Sequence, residues 1–71
     1  MDIFVYISGV YAFCYETQAI PRIGEKVTVG VVRGQRHWKG VHTVREVCRE
    51  ISNGDGAMIE IIDVHLVPAY E

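Results

Sequence analysis

The sequence predicts an all-β fold, a small five-stranded antiparallel barrel that residues 1–71 form as a single domain. Near the amino terminus, two short apolar runs are joined by a Ser-Gly pair, which is typical of a tight hairpin. Residues 26–32 alternate between apolar and polar side chains. Two apolar segments of equal length, 41–51 and 57–67, flank a turn rich in glycine. Hydrophobic residues make up 49% of the chain and charged residues 23%, as in a folded domain.

The first hairpin, residues 3–15, is apolar on both of its faces. Successive side chains of a strand point to opposite sides, so a two-residue turn at Ser8-Gly9 sets a defined register. The expected cross-strand pairs are Tyr6 with Tyr11, Phe4 with Phe13 and Val5 with Ala12. One face is then aliphatic, with Ile3, Val5, Ile7, Val10, Ala12 and Cys14. The other is aromatic, with Phe4, Tyr6, Tyr11, Phe13 and, at its end, Tyr15.

A chain of this length has difficulty burying both faces. A domain of about 60 residues hides only about 60% of the surface that its unfolded chain exposes. The aromatic face is therefore the expected hydrophobic anchor, and self-association into a homodimer or higher oligomer is expected. The alternative is a barrel that closes over the rings and leaves the aliphatic face exposed.

Residues 16–25 are expected to form a connector, because Pro21 lacks a backbone N–H and Gly24 permits a positive φ. The strand 26–32 follows. Its side chains on one face are Val27, Val29 and Val31. The polar segment 33–40 contains two glycines and is expected to be a long hairpin loop.

Residues 43–52 fit either a strand or a short helix, and the helix would make the fold α+β. The apolar residues at helical spacing are Val44, Val47, Cys48 and Ile51. Thr43 and Glu46 also have the spacing of a helix capping box. As a strand, the pattern slips by one residue near Arg45-Glu46, which a β-bulge would accommodate. The strand is favoured, because the hairpin turn 52–56 separates segments of equal length.

Two segments carry a recognisable pattern: Ile20-Pro21-Arg22-Ile23-Gly24-Glu25-Lys26-Val27 and Thr43-Val44-Arg45-Glu46-Val47, followed by a closing strand at 59–67. This pattern resembles a group of small phage and bacterial proteins. In these, a P-x-x-G-[DE]-x-V strand precedes a V-x-x-V strand in an SH3-like or other five-stranded barrel. The resemblance covers residues 20–67 and implies an SH3-like barrel and a phage setting, but it implies no functional residue. The first hairpin and the loop 33–40 lie outside the shared pattern.

The net charge of −2 argues against bulk attraction to nucleic acid or anionic lipid. Yet residues 30–45 contain no acid. The basic and histidine residues there are Arg33, Arg36, His37, Lys39, His42 and Arg45. No signal-peptide pattern is present, and the apolar start is too short and too interrupted to span a bilayer, so we expect no membrane partner. We expect a cytoplasmic protein in which Cys14 and Cys48 are reduced.

Neither a metal site nor a catalytic site is expected. No C-x-x-C or H-x-x-x-H pair occurs, and His37 and His42 do not have the spacing of a zinc finger. Cys48 could pair with His42 or His65, but nothing in the sequence marks the thiol as activated. No glycine-rich phosphate loop is present, so no cofactor is expected either.

The loop 33–40 is the expected partner-binding site, through Arg33, Arg36, His37, Trp38 and Lys39. Tryptophan and arginine are enriched at binding hot spots, which favours a protein contact. The same side chains could clamp phosphates and stack on a base. The loop could also be a plain hairpin tip, with Trp38 folded back over the barrel mouth.

These observations predict a non-catalytic binding protein that acts by protein–protein interaction, and the resemblance implies that it is phage-encoded. In the setting that the resemblance implies, it would inhibit or modulate a host enzyme or a defence system. The alternative function is a nucleic-acid or nucleotide-binding module that uses the loop 33–40.

Overall fold

The computed structural model of the protein describes residues 1–69. Its five strands are β1 Asp2–Ile7, β2 Val10–Glu16, β3 Lys26–Val29, β4 Gly40–Asn53 and β5 Met58–Pro68. The all-β prediction is confirmed. The alternative of a short helix at 43–52 is wrong, because these residues lie within β4. In the described part of the chain, no helix has the length and apolar character needed to cross a bilayer.

The strands form one mixed sheet in the order β2-β1-β5-β4-β3. β1 and β5 run parallel, whereas the other three neighbouring pairs are antiparallel. The sequence predicts an antiparallel sheet, so the parallel pairing of β1 with β5 differs from that prediction. The parallel pair arises because residues 17–25 carry the chain from one edge of the sheet to the other, and the β3–β4–β5 meander then returns to β1. The sheet curls into a half-barrel whose edges, among the described residues, are β2 and β3.

The concave face of the half-barrel holds the hydrophobic core. The buried core residues are Ile3, Val5, Ile7, Ala12, Val29, Val44, Ile62, Val64 and Leu66. Burying a valine, leucine or isoleucine side chain stabilises a fold by about 1.5–3 kcal/mol. His42 is the buried polar residue of this face, 4% exposed, and its Nδ1–H donates to the Gly40 carbonyl oxygen at 3.2 Å. That bond offsets the cost of removing the imidazole from water.

A β-bulge in the first hairpin changes the predicted register. Tyr6 pairs with Tyr11, as predicted, but Val5 pairs with Phe13, and Ala12 is the extra residue between them. The predicted pairs that are wrong are Phe4 with Phe13 and Val5 with Ala12. A shift of one residue exchanges the faces of a strand, so β2 beyond Ala12 presents the opposite side chains to the core.

The predicted division of this hairpin into an aromatic and an aliphatic face is therefore wrong for β2. Phe13 and Tyr15 lie on the concave side with the core, opposite Val5 and Ile3. Cys14 pairs with Phe4 and belongs to the convex side. The predicted aromatic anchor is thus split between the two faces of the sheet.

A second bulge lies in β4, where the sequence pattern slips. Val44 pairs with Leu66 and Glu46 pairs with His65, which leaves Arg45 unpaired. The predicted bulge near Arg45-Glu46 is confirmed. Beyond it, Val47 continues the concave face, and Glu46 alternates with it onto the convex face.

Two tight turns have the same conformation. Ser8-Gly9 has φ values of 52° and 82°, and Arg33-Gly34 has values of 53° and 75°. Positive φ at both central residues is the requirement of a type I′ turn, which suits the twist of paired strands. Val32 and Gln35 flank the second turn and exchange backbone hydrogen bonds of 3.0 and 2.9 Å. The predicted long loop 33–40 is therefore ordered in its first half.

The strand predicted at 26–32 ends earlier, at Val29, and Val31 is 51% exposed. At the other end of β3, the connector continues the hydrogen bonding to β4. The Gly24 N–H donates to the Val44 carbonyl at 2.8 Å, and the Val44 N–H donates to the Glu25 carbonyl at 2.9 Å. These bonds tie the connector to β4 at its bulge.

Candidate functional site

The half-barrel is open between its two edge strands, and an apolar cleft lies in the opening. The cleft has a volume of about 300 Å³. Its lining residues are Val5, Phe13, Tyr15, Pro21, Val27, Thr28, Val29, Gly30, Val32, Val64 and Leu66. A concave apolar site of this volume falls at the lower end of the range for ligand-binding pockets.

Each part of the cleft comes from a different element. Val5, Val64 and Leu66, from the adjacent strands β1 and β5, form its floor, and Val27 and Val29 of β3 form one wall. Phe13 and Tyr15 line the cleft from β2 because the bulge at Ala12 turns them inward. Without that bulge, the opposite wall would lack its two aromatic rings.

Tyr15 lies at the mouth of the cleft and is 38% exposed. Partial burial and, to a smaller extent, the negative charge of Glu25 raise the pKa of the Tyr15 hydroxyl. Both effects disfavour the phenolate. Tyr15 therefore presents a neutral hydroxyl, which donates and accepts hydrogen bonds, at the rim of an apolar surface.

The predicted partner-binding loop lies next to this cleft. Val32 lines the cleft, and the Trp38 ring centroid lies 6.3 Å from that of Phe13. Trp38 is half-buried against the core, with the His37 ring 4.0 Å away. The fold therefore holds the indole in place. This position agrees with the alternative of the sequence analysis in which Trp38 folds back over the barrel mouth.

The other predicted contact residues of the loop are exposed: Arg33, Arg36, His37 and Lys39. In residues 1–69 the one salt bridge joins Arg49 and Glu60, with Nη1 and Oε2 3.4 Å apart. The cations of the loop have no carboxylate partner there. The loop thus adds a basic rim to the apolar cleft.

The convex face carries the remainder of the predicted aromatic anchor. Tyr11 contacts Tyr6 edge-on at 5.6 Å and Phe4 at 6.5 Å, between ring centroids. Tyr6 also stacks on His65, with centroids 4.9 Å apart and ring planes at 18°. The rings of Phe13 and Tyr15, 6.2 Å apart, lie on the other side of the sheet.

A cluster that the sequence analysis did not assemble lies beside these rings. The ligand-forming side-chain atoms of Glu46, Cys48 and His65 all lie within 4.8 Å of one another. Partial desolvation, hydrogen bonding to Glu46 and the negative charges of Glu46 and Asp63 raise the pKa of the Cys48 thiol. Spacing along the chain does not reveal this cluster, but the register of β4 against β5 does.

The remaining candidates of the sequence analysis do not form a site with it. His42 points into the core, on the opposite face of the sheet from Cys48. Cys14 is an exposed free thiol on β2, and Cys48 is also free. No protein-family model, no curated protein and no solved structure matches this chain. Its function is therefore inferred from the geometry of the two faces.

Proposed function

We propose that this is a non-catalytic binding protein that acts by protein–protein contact, and that its apolar cleft receives an extended segment of the partner. The observation that supports the proposal is an apolar cleft open between β2 and β3, which are the edge strands of the sheet in residues 1–69. An unpaired edge offers a row of backbone donors and acceptors to an added strand. The cleft then receives side chains of that strand, in the way that pockets give specificity to β-strand addition.

β2 is the better of the two edges for this role. It is seven residues long, whereas β3 has four and is continued by the connector. Phe13 and Tyr15 alternate along β2 toward the cleft, so a strand added to this edge would direct every second side chain onto the apolar surface.

The basic rim specifies the chemistry of the partner segment. Arg33, Arg36 and Lys39 are exposed, lie next to the cleft and form no salt bridge with residues 1–69. A segment with one or two apolar residues, followed by Asp or Glu, would complement both surfaces. Complementary charge raises the association rate and selects the partner, and the apolar contact supplies most of the affinity.

In the phage setting that the resemblance implies, the partner would be a host enzyme or a component of a defence system in the cytoplasm. Occupying an exposed segment of such a protein would inhibit or modulate it. The protein would also self-associate, since a second copy offers an edge strand of its own.

The test uses random twelve-residue peptides displayed against the purified protein, followed by titration of the enriched peptides. Trp38 is the single tryptophan and contacts Phe13 of the cleft, so its emission reports occupancy. We expect enriched peptides to alternate apolar residues with Asp or Glu. N-methylation at alternate peptide nitrogens should abolish binding, because it removes the donors of an added strand.

The matched variants are Tyr15→Ala and Tyr11→Ala. Both tyrosines are exposed residues of β2, 38% and 44%, but they lie on opposite faces. We expect Tyr15→Ala to weaken peptide binding by about fivefold or more, since truncating an important interface residue costs more than about 1 kcal/mol, and Tyr11→Ala to leave binding unchanged. Equal effects of the two variants would contradict the proposal.

The basic rim supports a second function, nucleic-acid or nucleotide binding, because its three exposed cations suit phosphates as well as carboxylates. Single-stranded DNA and RNA are therefore titrated in parallel. Phosphate-driven binding should weaken steeply between about 50 and 200 mM salt. Peptide binding anchored in the cleft should weaken much less. Binding of DNA or RNA without any peptide binding would favour the second function.

A further inference from the structure

We propose that Glu46, Cys48 and His65 form a binding site for one zinc ion on the convex face of the sheet. A thiol sulfur, an imidazole nitrogen and a carboxylate oxygen are within 4.8 Å of one another there. This is one ligand of each type that zinc uses in proteins. The site lies on the opposite face of the sheet from the cleft and is independent of the proposed function.

The strand register holds the three ligands in place. Glu46 is the direct cross-strand partner of His65, and Cys48, two residues further along the same face of β4, is the partner of Asp63. Directly opposed side chains of antiparallel strands have Cβ atoms about 4.5–5.5 Å apart. The ligands therefore come from the two longest strands of the sheet and need no loop to position them.

The bulge at Arg45 is what creates this arrangement. With the register that precedes the bulge, in which Val44 faces Leu66, Cys48 would face Ile62 and point into the core. One unpaired residue instead turns Glu46 and Cys48 outward together. His65 is further oriented by Tyr6, which stacks on the imidazole with ring planes at 18°.

The distances suit zinc after small side-chain rotations. Zinc binds cysteine sulfur at about 2.3 Å and histidine nitrogen or carboxylate oxygen at about 2.0–2.2 Å, so tetrahedral ligands lie about 3.5 Å apart. A thiol and an imidazole favour zinc over magnesium or calcium, which prefer oxygen ligands. Three protein ligands leave a fourth position for water.

The charge of the convex face also favours a divalent cation. The register places five acidic residues on it: Asp2, Glu16, Glu46, Glu50 and Asp63. Lys26, on the outer strand β3, also lies on this face. On coordination the Cys48 thiol releases its proton to solvent and binds as the thiolate, with no change in oxidation state.

The chain offers matched controls for this site. Cys14 is the second free thiol, exposed on the same face, but it pairs with Phe4 and not with a ligand residue. Glu50 is a second glutamate on the convex side of β4. Cys14→Ser and Glu50→Gln therefore preserve the site, whereas Cys48→Ser and Glu46→Gln each remove one ligand. His65→Phe removes a ligand and retains a ring for Tyr6 to stack on.

The experiment titrates the reduced full-length protein with zinc by calorimetry, and with cobalt(II) by absorption spectroscopy. We expect one zinc per chain, and with cobalt a thiolate charge-transfer band and the visible bands of a tetrahedral site. Cys48→Ser and His65→Phe should lower zinc affinity at least tenfold and abolish the charge-transfer band. Cys14→Ser and Glu50→Gln should change neither.

Three results would overturn the proposal: no zinc binding by the wild-type protein, equal losses in Cys14→Ser and Cys48→Ser, or one zinc shared by two chains. Circular dichroism of each metal-free variant shows whether it is folded. Should His65→Phe not fold, Cys48→Ser and Glu46→Gln decide the result, because both side chains lie on the sheet surface outside the core.

Discussion

The concave and convex faces of this sheet differ in chemistry, although the same strands form both. The concave face is an apolar core that ends in an open cleft with two aromatic rings on its wall. The convex face carries stacked rings and a cluster of a carboxylate, a thiol and an imidazole. In each case a single unpaired residue, Ala12 or Arg45, determines which side chains reach that face.

Strand register, more than composition, determines which side chains lie together on each face of a small sheet. A bulge of one residue exchanges inward and outward side chains along the rest of a strand. The bulge at Ala12 sends Phe13 and Tyr15 to the cleft, and the bulge at Arg45 sends Cys48 away from the core. A one-residue change in the register of either strand should therefore move a site without changing the chemistry of any side chain.

Inserting one alanine between Ala12 and Phe13 should have the largest effect on the division between the two faces. With Ala12 still the unpaired residue, the inserted alanine lies opposite Val5, so Phe13 and Tyr15 point to the convex side and Phe13 leaves Trp38. We expect the free energy of unfolding to fall by about 3 kcal/mol, near the loss for removing a packed aromatic ring. The emission of Trp38 should shift to longer wavelength, because the indole becomes wetter. Chemical denaturation followed by fluorescence measures both.

Ala12→Gly is the control for this insertion, since it keeps the number of residues and hence the register. It should retain the emission wavelength of the native protein, with a smaller loss of stability from the missing methyl group. An unchanged spectrum in the insertion variant would show that Trp38 does not depend on the register of β2.

The sequence allowed the fold class, the turn at Ser8-Gly9 and the slip in β4 to be predicted. The slip could be seen because β4 has polar residues that mark one face, so the apolar pattern visibly breaks at Arg45. β2 has no such marker, because residues 11–15 are all apolar or aromatic. A register shift within such a segment leaves no trace in its periodicity.

The sites were harder to predict than the fold, for a related reason. Pairing β4 with β5 around the turn at 54–57 would have placed Glu46 opposite His65. The parallel contact of β1 with β5 joins segments distant in sequence and has no local signal. The cleft depends on that contact, since its floor combines Val5 with Val64.

The basic loop contains one residue that packs against the fold and others that are free to contact a partner. Trp38 packs against the core and Phe13, whereas Arg36 is exposed. Trp38→Ala should lower the free energy of unfolding by about 2 kcal/mol, less than for a fully buried aromatic residue. Arg36→Ala should stay within about 0.5 kcal/mol of the wild-type protein. Thermal and urea unfolding measure both, and equal stability of the two variants would contradict this division.

The smallest expected effect concerns Tyr15 at the rim of the cleft. Its pKa is raised in the folded state by partial burial and by Glu25. A raised pKa of an acid means that the fold favours the protonated form. The protonated Tyr15 hydroxyl makes its full contribution to stability below about pH 10, the pKa of tyrosine in the unfolded chain. That contribution is lost as the pH rises through the pKa of Tyr15 in the folded protein. The Tyr15→Phe variant has no hydroxyl to ionise at this position, so its stability should fall less than that of the native protein above about pH 10.

The measurement is urea unfolding at intervals from neutral to strongly alkaline pH, with and without Tyr15→Phe, in a Cys48→Ser background. That background removes the Cys48 thiol, whose pKa is also raised and whose ionisation would add to the same loss. The difference in unfolding free energy that Tyr15→Phe causes should be constant at lower pH and should change only in the alkaline range. Parallel curves throughout would mean that the fold does not distinguish the two protonation states of Tyr15.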